Sequence, residues 1–245
     1  MSLDKIKNLL DKNNFDFYFI ESVDSTMTEV KKLIYNRNIC LMANEQKKGF
    51  GRRGTTWESP KNNVYISILS KNILPIENHF LNNAFITNMI CSVIENICNV
   101  KTQIKWPNDI LINNKKCGGV LCETRIKNNC IKQMVIGIGL NVNETNNDFP
   151  DTLSKSATSL AIETNQSNQR ELLCAIITTY FERLLNDLPS SLPIWQNYCN
   201  HINESVSFNQ GGINQNGIFK GLDNDGRAII QVNKKEILFN SITLE

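Results

Sequence analysis

Leu3, Ile6, Leu9 and Leu10 recur at helical spacing at the start of the chain, and the aromatic-rich run from Phe15 to Ile20 predicts a strand. Thr26 and Glu29 form a TxxE capping box ahead of Val30, Leu33 and Ile34. A helix should therefore start near Ser25, with Asp24, Ser25 and Thr26 at an N-terminus that can meet a ligand's polar head. A strand from Ile39 to about Asn44 leads into a glycine-arginine loop, and Val64, Ile66 and Ile68 alternate in the next strand. The stretch from Ile76 to Cys98 reads as a core helix. Thr102 to Trp106 with Ile110 to Ile112, Cys117 to Ile126, and Ile131 to Ile138 read as strands. The connections Asn113-Asn114-Lys115 and Asn128-Asn129 suit hairpins.

Helical signals return at about 168 to 186 and 190 to 198. Beyond Glu204 the apolar runs shorten to Gly217–Leu222, Ala228–Val232 and Glu236–Phe239, separated by the turns Gly211-Gly212 and Asp223-Asn224-Asp225-Gly226. This texture predicts a small β-barrel, of a size that gains stability by docking on a larger domain. The expected fold is α+β: a mixed, largely antiparallel sheet packed with helices in domain 1–195, and a small C-terminal β-barrel domain in 196–245. Strands and helices do not alternate regularly, which argues against a doubly wound parallel sheet.

Composition narrows the function classes only a little. The 245 residues carry 41% hydrophobic and 20% charged side chains, an ordinary globular balance. A net charge of +2 argues against a nonspecific nucleic-acid binder. No apolar run approaches the roughly 20 residues that span a bilayer, and the N-terminus lacks a signal-peptide core, so a cytoplasmic location without membrane attachment is expected. The eight cysteines form no CxxC pair and are expected to be reduced core residues. His79 and His201 stand apart without metal-ligand spacing, and no structural metal is expected. The frequent asparagine pairs interrupt periodic segments and carry no assigned function.

Candidate chemistry concentrates in residues 47–57, KKGFGRRGTTW, where three glycines and four basic side chains share one loop. Glycines let backbone N–H groups approach a ligand, and Arg52 and Arg53 offer planar charged forks for a phosphate or carboxylate. Trp57 after the loop and Glu45-Gln46 before it favour a binding lid over a solvated turn. In KWPND, 105–109, Lys105 ends a strand, Trp106 can pack in the core, and Pro107-Asn108-Asp109 turn the chain. An ammonium aimed at a carboxylate and an α-phosphate would neutralise both reacting anions. KKCGGVLCE, 115–123, and GIGLNVN, 137–143, set glycines inside strands, where something must pack closely, and Asn141 can hydrogen-bond a base or ribose.

These strings, together with DST at 24–26, ATSL at 157–160 and KGLDNDG at 220–226, resemble the biotin protein ligase family, also called biotin–[acetyl-CoA carboxylase] ligase. The resemblance covers nearly the whole chain. It implies a class II aminoacyl-tRNA synthetase-like catalytic domain with an SH3-like C-terminal barrel. It also implies formation of biotinyl-5′-AMP from biotin and ATP with Mg²⁺, then transfer to one lysine of a biotin carboxyl carrier protein. By the same resemblance, Ser25, Thr26, Met27, Gln46, Phe50, Gly51, Gly118 and Gly119 meet biotin. Arg52 and Lys105 act at the reacting centre and touch both substrates, and Arg53, Trp57, Asn108, Asn141 and Lys220 face ATP. Metal ligands are not assigned. The family loop commonly reads GRGRRG, so Phe50 stands for its first arginine, Thr55 for a later one, and Met27 for an asparagine that often follows DST. The short stretch ahead of Asp24 implies the monofunctional class without a winged helix-turn-helix, and the family's use of sheet edges leaves a homodimer open. Three other readings are weighed against this one: a lipoate or octanoate ligase or transferase of the same fold, a nucleic-acid-binding protein, and a biotin-sensing module without catalysis.

Overall fold

The computed structural model describes residues 2–34, 36–70, 74–75, 81–128, 130–184, 191–210, 212–240, 242 and 244. It opens on α1 (Leu3–Lys12), whose Ser2 Oγ accepts from the Lys5 N–H at 3.4 Å. Ile6 and Leu10, one turn apart, are fully buried, a contribution of about 1.5–3 kcal/mol each. Then follow β1 (Phe15–Val23), α2 (Thr26–Val30), β2 (Asn38–Gln46), β3 (Val64–Ser70), β4 (Leu74–Pro75) and α3 (Leu81–Cys98). Next come β5 (Gln103–Lys105), β6 (Asp109–Ile112), β7 (Lys115–Lys127), β8 (Cys130–Leu140), α4 (Leu160–Thr164), α5 (Arg170–Leu184) and α6 (Ser191–Tyr198). The chain closes with β9 (Ser205–Gln210), β10 (Ile213–Leu222), β11 (Ala228–Val232) and β12 (Lys235–Phe239).

The large sheet runs β1-β2-β3-β8-β7-β6-β5, with β4 paired to β8. Among the described strands of this sheet only the β1–β2 pair is parallel, so the mixed, largely antiparallel α+β reading holds. The β7–β8 hairpin sets Gly118 opposite Leu140 and Gly119 opposite Gly139, which places Gly119 and Gly139 side by side under the site. α3 lies over this sheet with Ile86, Ile90, Cys91 and Ile94 fully buried. Its expected start at Ile76, His79, the 185–186 end of the helix before α6, residue 190, Asn129 and Gly211 lie outside the described residues.

Several sequence expectations need correction. The helix at Ser25 stops at Val30 rather than running through Ile34, which is 95% exposed. Its capping box does not form: Ser25 is the cap, and the Thr26 hydroxyl is engaged by Gln46 and Ser67 instead. The C-terminal module is an open four-stranded antiparallel sheet, β12-β11-β10-β9, not a closed barrel. A single bridge from Leu244 to Phe208 returns the chain to the β9 edge without completing a ladder. Cys122, Cys130 and Cys199 are half-buried rather than in the core with the other five free cysteines.

The two sheets share one continuous apolar core. Phe219 of β10 sits 6.4 Å from Trp106, 6.3 Å from Trp195 and 4.3 Å from His201, ring centre to ring centre. The expected boundary at 195 falls within α6, at the fully buried Trp195.

Candidate active site

A cavity of about 250 Å³ opens between α2, the 47–57 loop, the β6 start and the glycine positions of β7 and β8. Its polar end is built by a chain of hydrogen bonds. Gln46 Oε1 accepts from the Thr26 N–H at 2.8 Å and from Thr26 Oγ1 at 3.0 Å, and Ser67 Oγ donates to Thr26 Oγ1 at 2.8 Å. Gln46 Nε2 donates to Ser59 Oγ at 3.1 Å, and that hydroxyl donates to the Trp57 carbonyl at 3.0 Å. Ser25 and Thr26 are 4% and 3% exposed, and the Ser25 hydroxyl is not used to cap the helix. Such a network holds side chains in one arrangement and leaves polar atoms facing a buried volume.

The loop is internally bonded. Gly51 N–H donates to Thr55 O at 2.7 Å, Trp57 N–H to Gly49 O at 2.9 Å, and Lys48 N–H to Asp24 O at 2.8 Å. Arg53 turns the tip with φ +57°, a region costly for a residue with a Cβ, and Gly54 follows at φ +75°. This turn sends Arg52 inward to line the cavity while Arg53 remains exposed. Arg52 Nη1 reaches the Ile242 carbonyl at 3.5 Å, so the loop touches the C-terminal segment. Burial, and then Arg53, lower the Arg52 guanidinium from its ordinary value, and Asp109 opposes them.

Trp57 lies on a floor made by missing side chains. A Cβ on Gly139 would fall 2.7 Å from Trp57 Cε2, and one on Gly119 3.3 Å from Cζ3. The Lys116 ammonium stands 5.1 Å from the Trp57 ring centre and pairs with Asp109 at 2.7 Å. Met27 rests on Gly137 in the same way, its Sδ 2.5 Å from where a Cβ would be. Met27 and Phe50, two departures from the family strings, pack in one apolar cluster with Val30 and Leu41, so they form a joint greasy wall. A second cavity, about 130 Å³, shares Thr56, Trp57 and Lys116 with the first and is lined by Asn141, Glu144, Phe149 and Pro150.

Of the residues singled out from sequence, Ser25, Thr26, Met27, Gln46, Phe50, Gly51, Arg52, Trp57, Asn108 and Gly119 converge on the first cavity, and Asn141 on the second. Gly118 does not: it is buried, and a side chain there would strike Leu140 in the core. Its glycine serves strand packing rather than ligand contact. Lys105 is half-buried between the core residues Ile104 and Trp106, so strand alternation turns it to the opposite face, but it lines neither cavity. Its charge, after burial, helps hold His201 down at about 4. Lys220 is exposed and donates to Asn203 Oδ1 at 2.7 Å, and Arg53 is at the loop tip; neither lines a cavity. Sequence reasoning assigned no role to Lys116, Asp109 or Glu144, the first two within strings it quoted, and marked Gly137 and Gly139 only as strand positions where something must pack closely. Among the described residues, no group of three or more His, Cys, Asp or Glu is placed to hold a metal, and no helix is long and apolar enough to cross a membrane.

Comparison with known proteins fits this geometry. Residues 19–141 match the model of the biotin/lipoate A/B protein ligase family. The chain is 30% identical over 226 residues to the bifunctional ligase/repressor BirA of Bacillus subtilis, covering 88% of this chain and 68% of that protein. It is 26% identical over 226 residues to the biotin–[acetyl-CoA-carboxylase] ligase of Paracoccus denitrificans, covering 85% and 91%. The biotin protein ligase of Aquifex aeolicus, solved in complex with biotin and ATP, superposes with a TM-score of 0.79 at 26% identity, over 94% of this chain and 98% of that one. The fold, the glycine-floored cavity and these likenesses together establish that the chain belongs to the biotin/lipoate A/B protein ligase family.

Proposed function

We propose that the chain is an ATP-dependent biotin ligase of the biotin–[acetyl-CoA carboxylase] type. The biotin carboxylate attacks the α-phosphate of ATP, giving biotinyl-5′-AMP and pyrophosphate. A neutral lysine amine of a carrier domain then attacks the acyl carbon, giving biotinyl-lysine, AMP and a proton. The observation that carries this reading over a lipoate or octanoate ligase is the polar end of the first cavity, where Ser25 and Thr26 are buried and Gln46 is half-buried beside them. Biotin's ureido ring has a carbonyl and two N–H groups that can add to the hydrogen bonds of such atoms, whereas a dithiolane ring or an alkyl chain has no polar group to offer them.

The residues divide the work. Met27, Phe50 and Gly137 give the apolar wall for the ring system, with Gly51 and Gly119 beside the acyl chain. Arg52 and Lys116 supply positive charge where two anions must meet, and Lys105, turned by a side-chain rotation, joins them at the carboxyl–phosphate centre. Asn108 is held by its own donation to Val120 O at 2.7 Å and shapes the wall of the first cavity. Asn141, in the second cavity, positions the nucleotide end, with Arg53 and Lys220 reaching toward the phosphates when the loop and C-terminal sheet close on them. Magnesium fits as a companion of the triphosphate, since Asp109 is the carboxylate at the first cavity and Mg²⁺ commonly keeps waters and phosphate ligands rather than a protein cage. When bound, it would neutralise phosphate charge. The carrier domain of a biotin-dependent carboxylase is the expected partner, in the cytoplasm, with residues 1–195 as catalytic domain and 196–245 as the module that backs it.

The test is pyrophosphate release with biotin, lipoate and octanoate offered separately, with ATP, Mg²⁺ and a carrier domain, followed by mass analysis of the carrier. Biotin-only turnover with a gain of one biotin is expected. Turnover with lipoate or octanoate instead would overturn the reading of the pocket.

A further inference from the structure

The loop of residues 47–57 is tied down at both ends. At the near end the Lys47 and Lys48 N–H groups donate to the Val23 and Asp24 carbonyls at 2.9 and 2.8 Å, and the Lys48 ammonium pairs with Asp24 at 2.8 Å. At the far end Trp57 rests over Gly119 and Gly139. Between these ends the backbone pairing is slight: Phe50 meets Thr56 in a one-residue antiparallel bridge, flanked by the Gly51 N–H on Thr55 O and the Trp57 N–H on Gly49 O. Residues Arg53 to Thr56 are exposed, and backbone bonds at such a place exchange for bonds to water at little cost. Phe50 supplies what they lack. Phe50 and Trp57 are the only large apolar side chains in KKGFGRRGTTW, and the Phe50 ring is half-buried against an apolar cluster that includes Met27, Val30, Leu41 and Val135. That cluster is built by α2, β2, β3 and β8, apart from the main core, so it stands whether or not the loop is seated. An arginine at position 50 would have to desolvate its charge to take the same seat, with no return until an anion met it.

We propose that Phe50 is a positioning residue that seats the loop as a lid over the first cavity before any ligand arrives, by burying its ring in the apolar cluster behind α2. The lid of this chain is preformed, and ligand binding does not have to supply the ordering. Seating Phe50 also fixes its chain neighbours Gly51 and Arg52, which line the same cavity. The inference rests on the ligase reading only for the choice of biotin as the ligand in its test.

The test is amide hydrogen exchange in the full chain, read at single amides by NMR, with and without biotin. In the ligand-free wild type the Gly51 and Trp57 amides are expected to be protected, and biotin should slow them further by less than about threefold. Phe50→Ser and Phe50→Arg should each speed the ligand-free exchange of both amides by about tenfold, the effect of unburying part of a phenyl ring. Phe50→Leu, which refills the seat, should keep most of the protection. Amides of β2 and β3 should be unmoved in all three variants, which separates loss of the seat from loss of overall stability. Biotin affinity is not the deciding readout, because the Phe50 ring also lines the cavity. Should Phe50→Ser fail to fold, Phe50→Arg and the wild type decide. Ligand-free wild-type exchange at the rate of an unstructured chain, or unchanged protection in a folded Phe50→Ser or Phe50→Arg, would overturn the proposal. Absence of any biotin binding in a calorimetric titration would instead overturn the ligase reading, and the ligand-free comparison would still decide the role of Phe50.

Discussion

Lys105 borders neither cavity, and the proposed chemistry nevertheless gives it a part. Ile104 and Trp106 are 0% and 4% exposed and hold the backbone on either side of it. On the proposed ligase reading, replacing it with alanine removes charge needed only as two anions meet. Lys105→Ala is therefore expected to lower the rate of biotin adenylation by roughly 100-fold or more, with a melting temperature close to that of the parent. Pyrophosphate exchange alongside a thermal melt checks both halves, and unaffected turnover would remove Lys105 from the chemistry. Glu144 makes the opposite kind of claim, about stability. Its folded value, about 7, lies above the ordinary 4.5, so the native state favours the proton. The associated stability is fully present below about pH 4.5 and is lost as pH rises through about 7. Glu144→Gln stays neutral throughout and should match the parent near pH 4.5 but exceed it at pH 8, by at most about 3 kcal/mol. Denaturant melts at the two pH values would show it, and parallel curves would mean that the carboxylate is compensated when ionised.

The hairpin β7–β8 separates two jobs for glycine that look alike in sequence. Gly139→Ala would drive a methyl group to 2.7 Å from the Trp57 ring. It is expected to weaken biotin and ATP binding together, by about tenfold or more, with little change in melting. Gly118→Ala, whose methyl group would strike Leu140, should instead cost about 1–3 kcal/mol of stability while a surviving folded fraction binds normally. Calorimetric titration and denaturant melts on the pair would separate the roles, and identical behaviour would defeat the distinction. Periodicity revealed α1, α3 and the long strands because each buries a regular stripe or face. It did not reveal α4 or β4, which span five and two residues, too short for a period to register. It misjudged α2 because a hydroxyl that could have capped the helix is committed to Gln46 and Ser67, partners 20 and 41 residues away. The charged loop was legible from its own glycines and arginines. The Lys116–Asp109 pair and the seat of Trp57 were not, since each joins separate elements.

At the scale of the molecule, the C-terminal sheet is joined to the turn after β5 and to α6 by aromatic packing. Phe219 touches Trp106, Trp195 and His201, and a bridge from Cys199 to Ile104 ties the segment after α6 to β5. His201, held near 4, stays neutral at physiological pH and so can sit among aromatic rings close to a lysine. Phe219→Ala is expected to cost about 3–5 kcal/mol, and to shift one transition rather than split it in two. A calorimetric scan with a separate low-temperature peak would show instead that the sheet unfolds independently. Trp57 has a further consequence. Trp106 and Trp195 are sealed from solvent, whereas the third tryptophan of the chain forms the partition between the two cavities. The protein thus contains its own optical probe: a change in emission intensity or wavelength on adding either small molecule should originate at that indole and vanish in Trp57→Phe, so occupancy can be followed in real time without a label.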